Sequence, residues 1–424
     1  MKRIALVFLL VLLGTRAFAG PTRHSLSNGM QVVLSESPSS TLAGVSILVW
    51  GGILCEKREE RGTFSILSDM LLRGTVSRTQ QEIAKEVSLL GDSVSSYTGT
   101  EYWAIDATVP AASLEEYLLL CYDFLFNPQL SEKELEKVKK TKIQSLRASD
   151  DVPENRLAEL YRSVFYPDIH LSNEERIANI TKADRAFLDR IHKRYFMPER
   201  IVISIAGDIE TGAIFALIED LFDDAPQKTG PYPDERLVQR DGSLPVYRVE
   251  GGGVTQASIL TGTRLRGFDR SDEHTVMLLG AVLDNSLGGR LFNGLREEKG
   301  LVYDVRTGYS LSIRPYTWYV ISTSRRKNTS TVREETEKIL NDLKRKPPTP
   351  EEIKLAKQYL KTMLAIRSLT PLFEARYNAE RLLRGERILS FEERTMILDG
   401  LTDEDLSSFV SAYFPSRWTT LVVR

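Results

Sequence analysis

Two periodicities divide the chain. Short apolar runs rich in β-branched residues, at Gln31 to Leu34, Ala43 to Val49 and Trp103 to Val109, predict strands. Longer amphipathic stretches, at Thr63 to Leu72, Ser113 to Phe126 and Glu132 to Ser149, predict helices. Asn28-Gly29, just before the first strand, is a hairpin-type turn signal.

The pattern is written twice. Pro128-Gln129-Leu130-Ser131-Glu132-Lys133-Glu134-Leu135 opens a charged helix, and Pro348-Thr349-Pro350-Glu351-Glu352-Ile353 opens another; Ser131 and Thr349 lie 218 positions apart. In both, a hydroxyl residue stands as N-cap before acids of the first turn, where orphan amides and the helix dipole favour them. A second pair repeats the spacing. Ile180-Thr181-Lys182-Ala183-Asp184 leads through a helix to Tyr195-Phe196-Met197-Pro198 and a strand at Ile201 to Ile205. Leu401-Thr402-Asp403-Glu404-Asp405 leads likewise to Tyr413-Phe414-Pro415 and a strand at Thr419 to Val423, with offsets of 221 at the Thr and 218 at the Tyr. Two copies of one domain are therefore expected, residues 20–225 and 246–424, joined by a proline-bearing linker at 226–245. Each copy is expected to be an α+β sandwich, a mostly antiparallel sheet with helices packed on one face.

The first nineteen residues fall outside this scheme. Lys2 and Arg3 precede an apolar run from Ile4 to Leu13, and Ala17-Phe18-Ala19 ends in small residues, which predicts a cleaved signal peptide and a periplasmic or secreted protein. The run is about half of the roughly 20 residues needed to cross a bilayer, and no other uncharged stretch approaches that length. No cysteine follows it to carry a lipid anchor.

Charge excludes more than it identifies. The 424 residues hold 56 Lys and Arg against 58 Asp and Glu, and without Lys2, Arg3 and Arg16 the balance becomes 53 against 58. A nucleic-acid binder would show a basic excess. Two cysteines, Cys55 and Cys121, do not make a disulfide scaffold and are expected to be unpaired, although export would let them bridge.

Gly62-Thr63-Phe64-Ser65-Ile66-Leu67-Ser68-Asp69-Met70-Leu71-Leu72-Arg73-Gly74-Thr75 resembles the zinc helix of the pitrilysin and insulinase (inverzincin) metallopeptidase family, which includes the mitochondrial processing peptidases. The family frame is G-x-x-H-x-x-E-H-M-L-x-x-G-T. In an intact motif, the two histidines at i and i+4 share one helix face and one zinc ion, and the glutamate acts as general base. Here the histidines fall at Ser65 and Asp69 and the glutamate at Ser68. The alignment puts the third ligand at Ser145 and its supporting glutamate at Val138. Hydroxyls are weak zinc ligands, so the resemblance implies no metal in this chain. The remaining histidines, His24, His170, His192 and His274, are not paired at ligand spacing. Gly91-Asp92-Ser93-Val94-Ser95-Ser96-Tyr97-Thr98 looks like the family's substrate-pairing edge strand, and without zinc beside it is read as a solvated sheet edge.

The second copy keeps what the first has lost. Leu287-Gly288-Gly289-Arg290-Leu291-Phe292-Asn293-Gly294-Leu295-Arg296-Glu297-Glu298-Lys299-Gly300-Leu301-Val302-Tyr303 is similar to the family signature S-R-L-F-x-x-[LV]-R-E-x-x-G-L-[AV]-Y. The resemblance implies that Arg296 and Tyr303 bind peptide substrate beside a zinc ion. By residue type alone, Arg296 could instead pair with Glu297 or Glu298, and Tyr303 could be a half-buried strand aromatic. Gly288-Gly289 lacks the spacing and lysine of a P-loop.

The expectation is an exported, non-catalytic subunit with no cofactor of its own. It would lend Arg296 and Tyr303 to zinc held by a separately encoded homologous partner in a heterodimer; a homodimer is possible without it. The alternative is a catalytically inert binding or assembly protein. A self-sufficient hydrolase finds no nucleophile and base at a recognisable spacing.

Overall fold

A computed structural model describes residues 20–37, 41–91, 94–149, 151–226, 244–245, 247–251, 256–285 and 288–424. The expected signal segment, Asp92, Ser93, Leu287 and all of the expected linker except Pro226, Leu244 and Pro245 lie outside the described residues.

The first half contributes strands β1 (Thr22–Ser25), β2 (Gln31–Glu36), β3 (Leu42–Trp50), β4 (Ser95–Thr98), β5 (Tyr102–Pro110) and β6 (Ile201–Gly207). Its helices are α1 (Phe64–Leu71), α2 (Gln80–Leu89), α3 (Leu114–Phe126), α4 (Glu132–Ser149), α5 (Pro153–Phe165), α6 (Asn173–Lys182), α7 (Arg185–Tyr195) and α8 (Thr211–Phe222). The second half contributes β7 (Tyr247–Glu250), β8 (Gln256–Leu265), β9 (Val302–Ser310), β10 (Tyr316–Arg325) and β11 (Thr419–Val423). Its helices are α9 (Glu273–Asp284), α10 (Thr329–Asp342), α11 (Pro350–Ser368), α12 (Pro371–Leu383), α13 (Phe391–Gly400) and α14 (Asp403–Tyr413). No helix among the described residues is long and apolar enough to cross a membrane.

The sheets share one plan. The first runs β1-β2-β6-β3-β5-β4 and the second β7-β11-β8-β10-β9. In each, one parallel pair, β2 with β6 or β7 with β11, interrupts an otherwise antiparallel ladder. Strands β6 and β11 both begin 218 positions apart, as do α4 and α11. The N-caps of α7 and α14, Asp184 and Thr402, keep the same spacing, each side chain accepting from an amide three residues on. Thr181 lies within α6, so the offset of 221 read at the threonines gives way to a uniform 218.

One face of each sheet carries its helix layer as expected. Val45, Ile47, Val49, Trp103 and Ile105 enter a core with Phe64 and Leu67 of α1, Tyr117 and Leu118 of α3, and Tyr195 of α7. The opposite face is also covered, which the sequence reading did not anticipate. Leu48, Ala104 and Val202 of the first sheet meet Ala379, Leu382 and Leu383 of α12, a helix of the second half. Leu260, Leu421 and Val423 of the second sheet meet Leu157, Leu160, Val164 and Phe165 of α5, a helix of the first. Pro153 and Pro371, which open these two helices, are again 218 apart, so each copy lends the same helix to the other's sheet.

Close approach and buried charge fix the exchange. A Cβ on Gly44 of β3 would lie 2.1 Å from the backbone nitrogen of Leu372, so only glycine lets α12 seat. Asp106, fully buried on β5, receives Arg376 of α12 at 2.5 Å, and Asn378 donates to Ser35 at 2.9 Å. On the other side, Arg264 donates to the Phe165 carbonyl at 2.6 Å and Tyr161 meets Thr317 at 2.5 Å. Gly44→Ala is expected to lower the unfolding free energy by about 3 kcal/mol or more in chemical denaturation, because backbone cannot yield as a flexible side chain does. Gly400→Ala, where an added Cβ meets nothing within 4 Å, is expected to leave stability within about 0.5 kcal/mol.

Candidate functional site

Helix α1 begins where Gly62 turns the chain at φ +92°, a conformation that L side chains rarely adopt. Glu56, buried beneath this turn, accepts from the amides of Gly62 (3.0 Å) and Phe64 (2.8 Å), which satisfies donors at the start of the helix. Burial outweighs those donors and pushes its carboxyl up to about 7. From there Phe64, Ile66, Leu67, Met70 and Leu71 point into the core.

The zinc-motif positions are occupied otherwise. Ser65 donates to the Gly62 carbonyl at 2.9 Å. Ser68, 1% exposed, hydrogen-bonds the hydroxyl of Thr98 on edge strand β4, and Thr98 in turn donates to the Phe64 carbonyl at 3.1 Å. Asp69 pairs with Lys142 of α4 at 3.0 Å, so an ammonium group meets the one carboxylate of the set. Ser145, one turn further along α4, is exposed, and Val138 is buried in the first core. A cavity of about 280 Å³ between α1, α2 and β4 is lined by Ser68, Asp69, Arg73 and Ser96.

This donor set does not fit zinc. The hydroxyls of Ser65 and Ser68 are engaged with backbone and with Thr98, and the carboxylate of Asp69 already carries a cation. Among the described residues no cluster of three or more His, Cys, Asp or Glu could hold a metal. The histidines are dispersed. His192 is buried 2.7 Å from the Leu125 carbonyl, His24 stacks on Phe215, His170 lies 3.6 Å from Glu159, and burial lowers the pKa of His274 on α9. Cys55 and Cys121 are both buried as thiols, and burial pushes Cys121 up to about 12.

The two signature residues of the second half sit on irregular backbone. Arg296 belongs to a π-helical turn, Phe292–Glu297, and its guanidinium lies over the Phe292 ring at 5.1 Å instead of on a neighbouring acid. Tyr303 occupies a β-bulge on edge strand β9: Val302 pairs with Ser324 and Asp304 with Thr323, which leaves Tyr303 as the extra residue. The residue is 47% exposed, and its hydroxyl accepts from Arg325 Nε at 3.2 Å. The signature's other arginine, Arg290, is structural. It meets Glu352 at 2.6 Å and donates to the Lys346 and Pro347 carbonyls, holding the Glu352 carboxyl down at about 2. Gly289 serves the backbone, since a Cβ there would lie 2.6 Å from the amide nitrogen of Asn285.

Sequence reasoning missed Glu56, Lys142 and Arg325. Lys142 sits in a helix crowded with lysines and only the packing of α4 against α1 singles it out, whereas Glu56, ahead of a glycine-led helix start, carried a faint capping signal.

A family model described as insulinase (peptidase family M16) matches residues 31–175, and one described as the peptidase M16 inactive domain matches residues 182–360. An uncharacterized zinc protease of Mycobacterium leprae is 27% identical over 305 residues, covering 68% of this chain and 65% of that protein, so the match spans just under two thirds of the relative's length. Among solved structures, a protease from Helicobacter pylori superposes with a TM-score of 0.88 at 18% identity, covering 96% of this chain and 100% of the other. A peptidase M16 inactive domain from Pseudomonas fluorescens gives 0.82 at 16% identity, covering 96% and 98%. At these identities the likeness is one of fold.

Two measurements check the site. Atomic emission of the purified chain, equilibrated with zinc and desalted, is expected to find no stoichiometric metal. Glu56 holds its proton to a higher pH folded than unfolded, so the native state binds more protons between 4.5 and about 7, and stability falls as pH rises through that window. From about pH 5 to about pH 8 the wild type is expected to lose about 2–3 kcal/mol more than Glu56→Gln in parallel denaturation curves.

Proposed function

The chain belongs to the insulinase (M16) peptidase family, and we propose that it acts there as a non-catalytic subunit, lending Arg296 and Tyr303 to a zinc site carried by a separately encoded homologue. It is a peptidase-like protein whose fold and site fit a non-catalytic role. The observation that carries the finer reading is the state of Tyr303. Arg325 donates to the Tyr303 oxygen, which uses an acceptor site and leaves the phenolic proton to be given outward. A hydroxyl so placed can donate to the developing oxyanion of a scissile carbonyl. Arg296, exposed one turn before the strand, presents a planar fork suited to peptide carbonyls or a terminal carboxylate. Arg290 has no such freedom, and it is the arginine that anchors the same segment.

On this reading the partner supplies zinc and its general base, and the peptide lies between the two subunits. Export through the basic and apolar residues at Lys2 to Leu13 would place the complex in the periplasm or outside the cell.

Co-expression with a zinc-motif homologue from the same organism tests the proposal. A stable heterodimer with peptidase activity is expected, in which Tyr303→Phe and Arg296→Ala each lower kcat/KM by about a hundredfold without releasing the partner. Unchanged activity in both variants would overturn it in favour of an inert binding or assembly protein. For export, the amino terminus of protein recovered from the periplasm or medium is expected to be Gly20.

A further inference from the structure

Strand β10 brings a second group of cations to the edge that carries Tyr303. Ser324 pairs with Val302 at the bulge, Arg325 ends the strand, and Arg326, Lys327 and Asn328 follow as one 3₁₀ turn before α10. Arg325 donates Nε to the Tyr303 hydroxyl at 3.2 Å. A 3₁₀ turn rises about 2 Å per residue, so the chain advances only roughly 4 Å along its axis from Arg325 to Lys327. Arg325, Arg326 and Lys327 are all exposed.

These cations carry no counter-charge. Among the described residues, the side chains of Arg326 and Lys327 have no hydrogen bond or ion pair, and Arg325 has the Tyr303 oxygen alone. The acids nearby are engaged elsewhere. Asp304 holds Arg306 at 2.8 Å, and Glu335 holds Lys299 at 2.5 Å. Glu297 and Glu298 remain exposed on the turn of Arg296, which leaves four uncompensated cations, Arg296, Arg325, Arg326 and Lys327, against two acids.

We propose that Arg325, Arg326 and Lys327 form a subsite for an acidic side chain of the peptide, a Glu or Asp within about three residues of the bond whose carbonyl meets Tyr303. The proposal rests on the reading of Tyr303 as a substrate contact and adds the class of peptide that the site prefers. An extended peptide advances about 3.3 Å per residue, so three residues cover about 10 Å, comparable with the rise of the turn plus the reach of a long side chain. Arg325 serves twice. Its Nε holds the Tyr303 oxygen, and the two terminal nitrogens of its fork are left for a carboxylate, which guanidinium binds in two-point geometry. A basic side chain at the same place meets only like charge, which selects against it.

The heterodimer with the zinc-motif homologue is the object of the test. A set of quenched fluorescent octapeptides, amidated at the carboxyl end, carries a single Glu or Gln at each position in turn. At a position within three residues of the cleaved bond, Glu is expected to raise kcat/KM by roughly fivefold over Gln, chiefly through KM, and by less as salt is added. In Arg326→Ala/Lys327→Ala that ratio is expected to fall to near one. In Arg326→Lys/Lys327→Arg, which keeps both charges, it is expected to persist. Damage to the fold would lower both rates together and leave their ratio, so the ratio reads recognition. Equal rates on Glu and Gln peptides at every position, an undiminished ratio in the alanine double variant, or a gain confined to a Gln peptide with a free terminal carboxylate would each overturn the subsite while Tyr303→Phe still slows the complex. A complex indifferent to Tyr303→Phe, or no active complex, would overturn the functional reading and the subsite with it.

Discussion

The reciprocal seating of α5 and α12 is the constraint on which the rest depends. A sheet buried on one face by its own helices still has a second face to cover, and neither half covers its own. Each reaches across with the same helix, so the two cores close together. The ion pair of Arg376 with Asp106 illustrates why the exchange is specific as well as stabilising. A carboxylate with no exposed surface tolerates little except a charged, hydrogen-bonding partner, and the geometry that brings Arg376 to it also brings Leu372 against the bare backbone of Gly44. With both sheets clasped, the edge strands β4 and β9 are fixed features of one body, and so are the groups they carry.

On that scaffold the two halves have diverged in opposite senses. In the first, the positions that would hold a metal have become an internal hydrogen-bonded set, with Ser68 tied to Thr98 and Asp69 to Lys142. The Lys142 pair is partly exposed and contributes little stability. Its consequence is occupancy, because an ammonium stands against the only carboxylate of the site. In the second half the irregular backbone is kept where it is least comfortable, a π-helical turn at Arg296 and a bulge at Tyr303. Both features rotate a side chain out of the regular ladder and toward solvent.

Much of this was legible in the sequence because it is local. The strands at Ala43 to Val49 and Trp103 to Val109 follow from short apolar runs, and are buried almost continuously, while the duplication follows from caps and turn residues at one offset. The substitution of every chemical position in the zinc helix was also plain from residue type. What could not be read is what distance in the chain conceals. Nothing local to α12 says that its Ala379 face meets β6 of the other half, so the covering of each sheet's second face by the other copy stayed hidden. The threonines align at 221 and the caps Asp184 and Thr402 at 218 because Thr and Asp both suit a cap, and only the end of α6 at Lys182 decides between Thr181 and Asp184. The bulge at Tyr303 depends on how β10 pairs, which is a property of two strands.

The central claim is that the lost chemistry of the first half is complemented across an interface by Tyr303. Photocrosslinking from position 303, with a benzophenone side chain in place of the tyrosine and the zinc-bearing homologue present, tests this most directly. The account predicts a covalent adduct mapping to the partner's zinc helix. Adducts confined to this chain, or formed only with a protein that has no zinc motif, would contradict it.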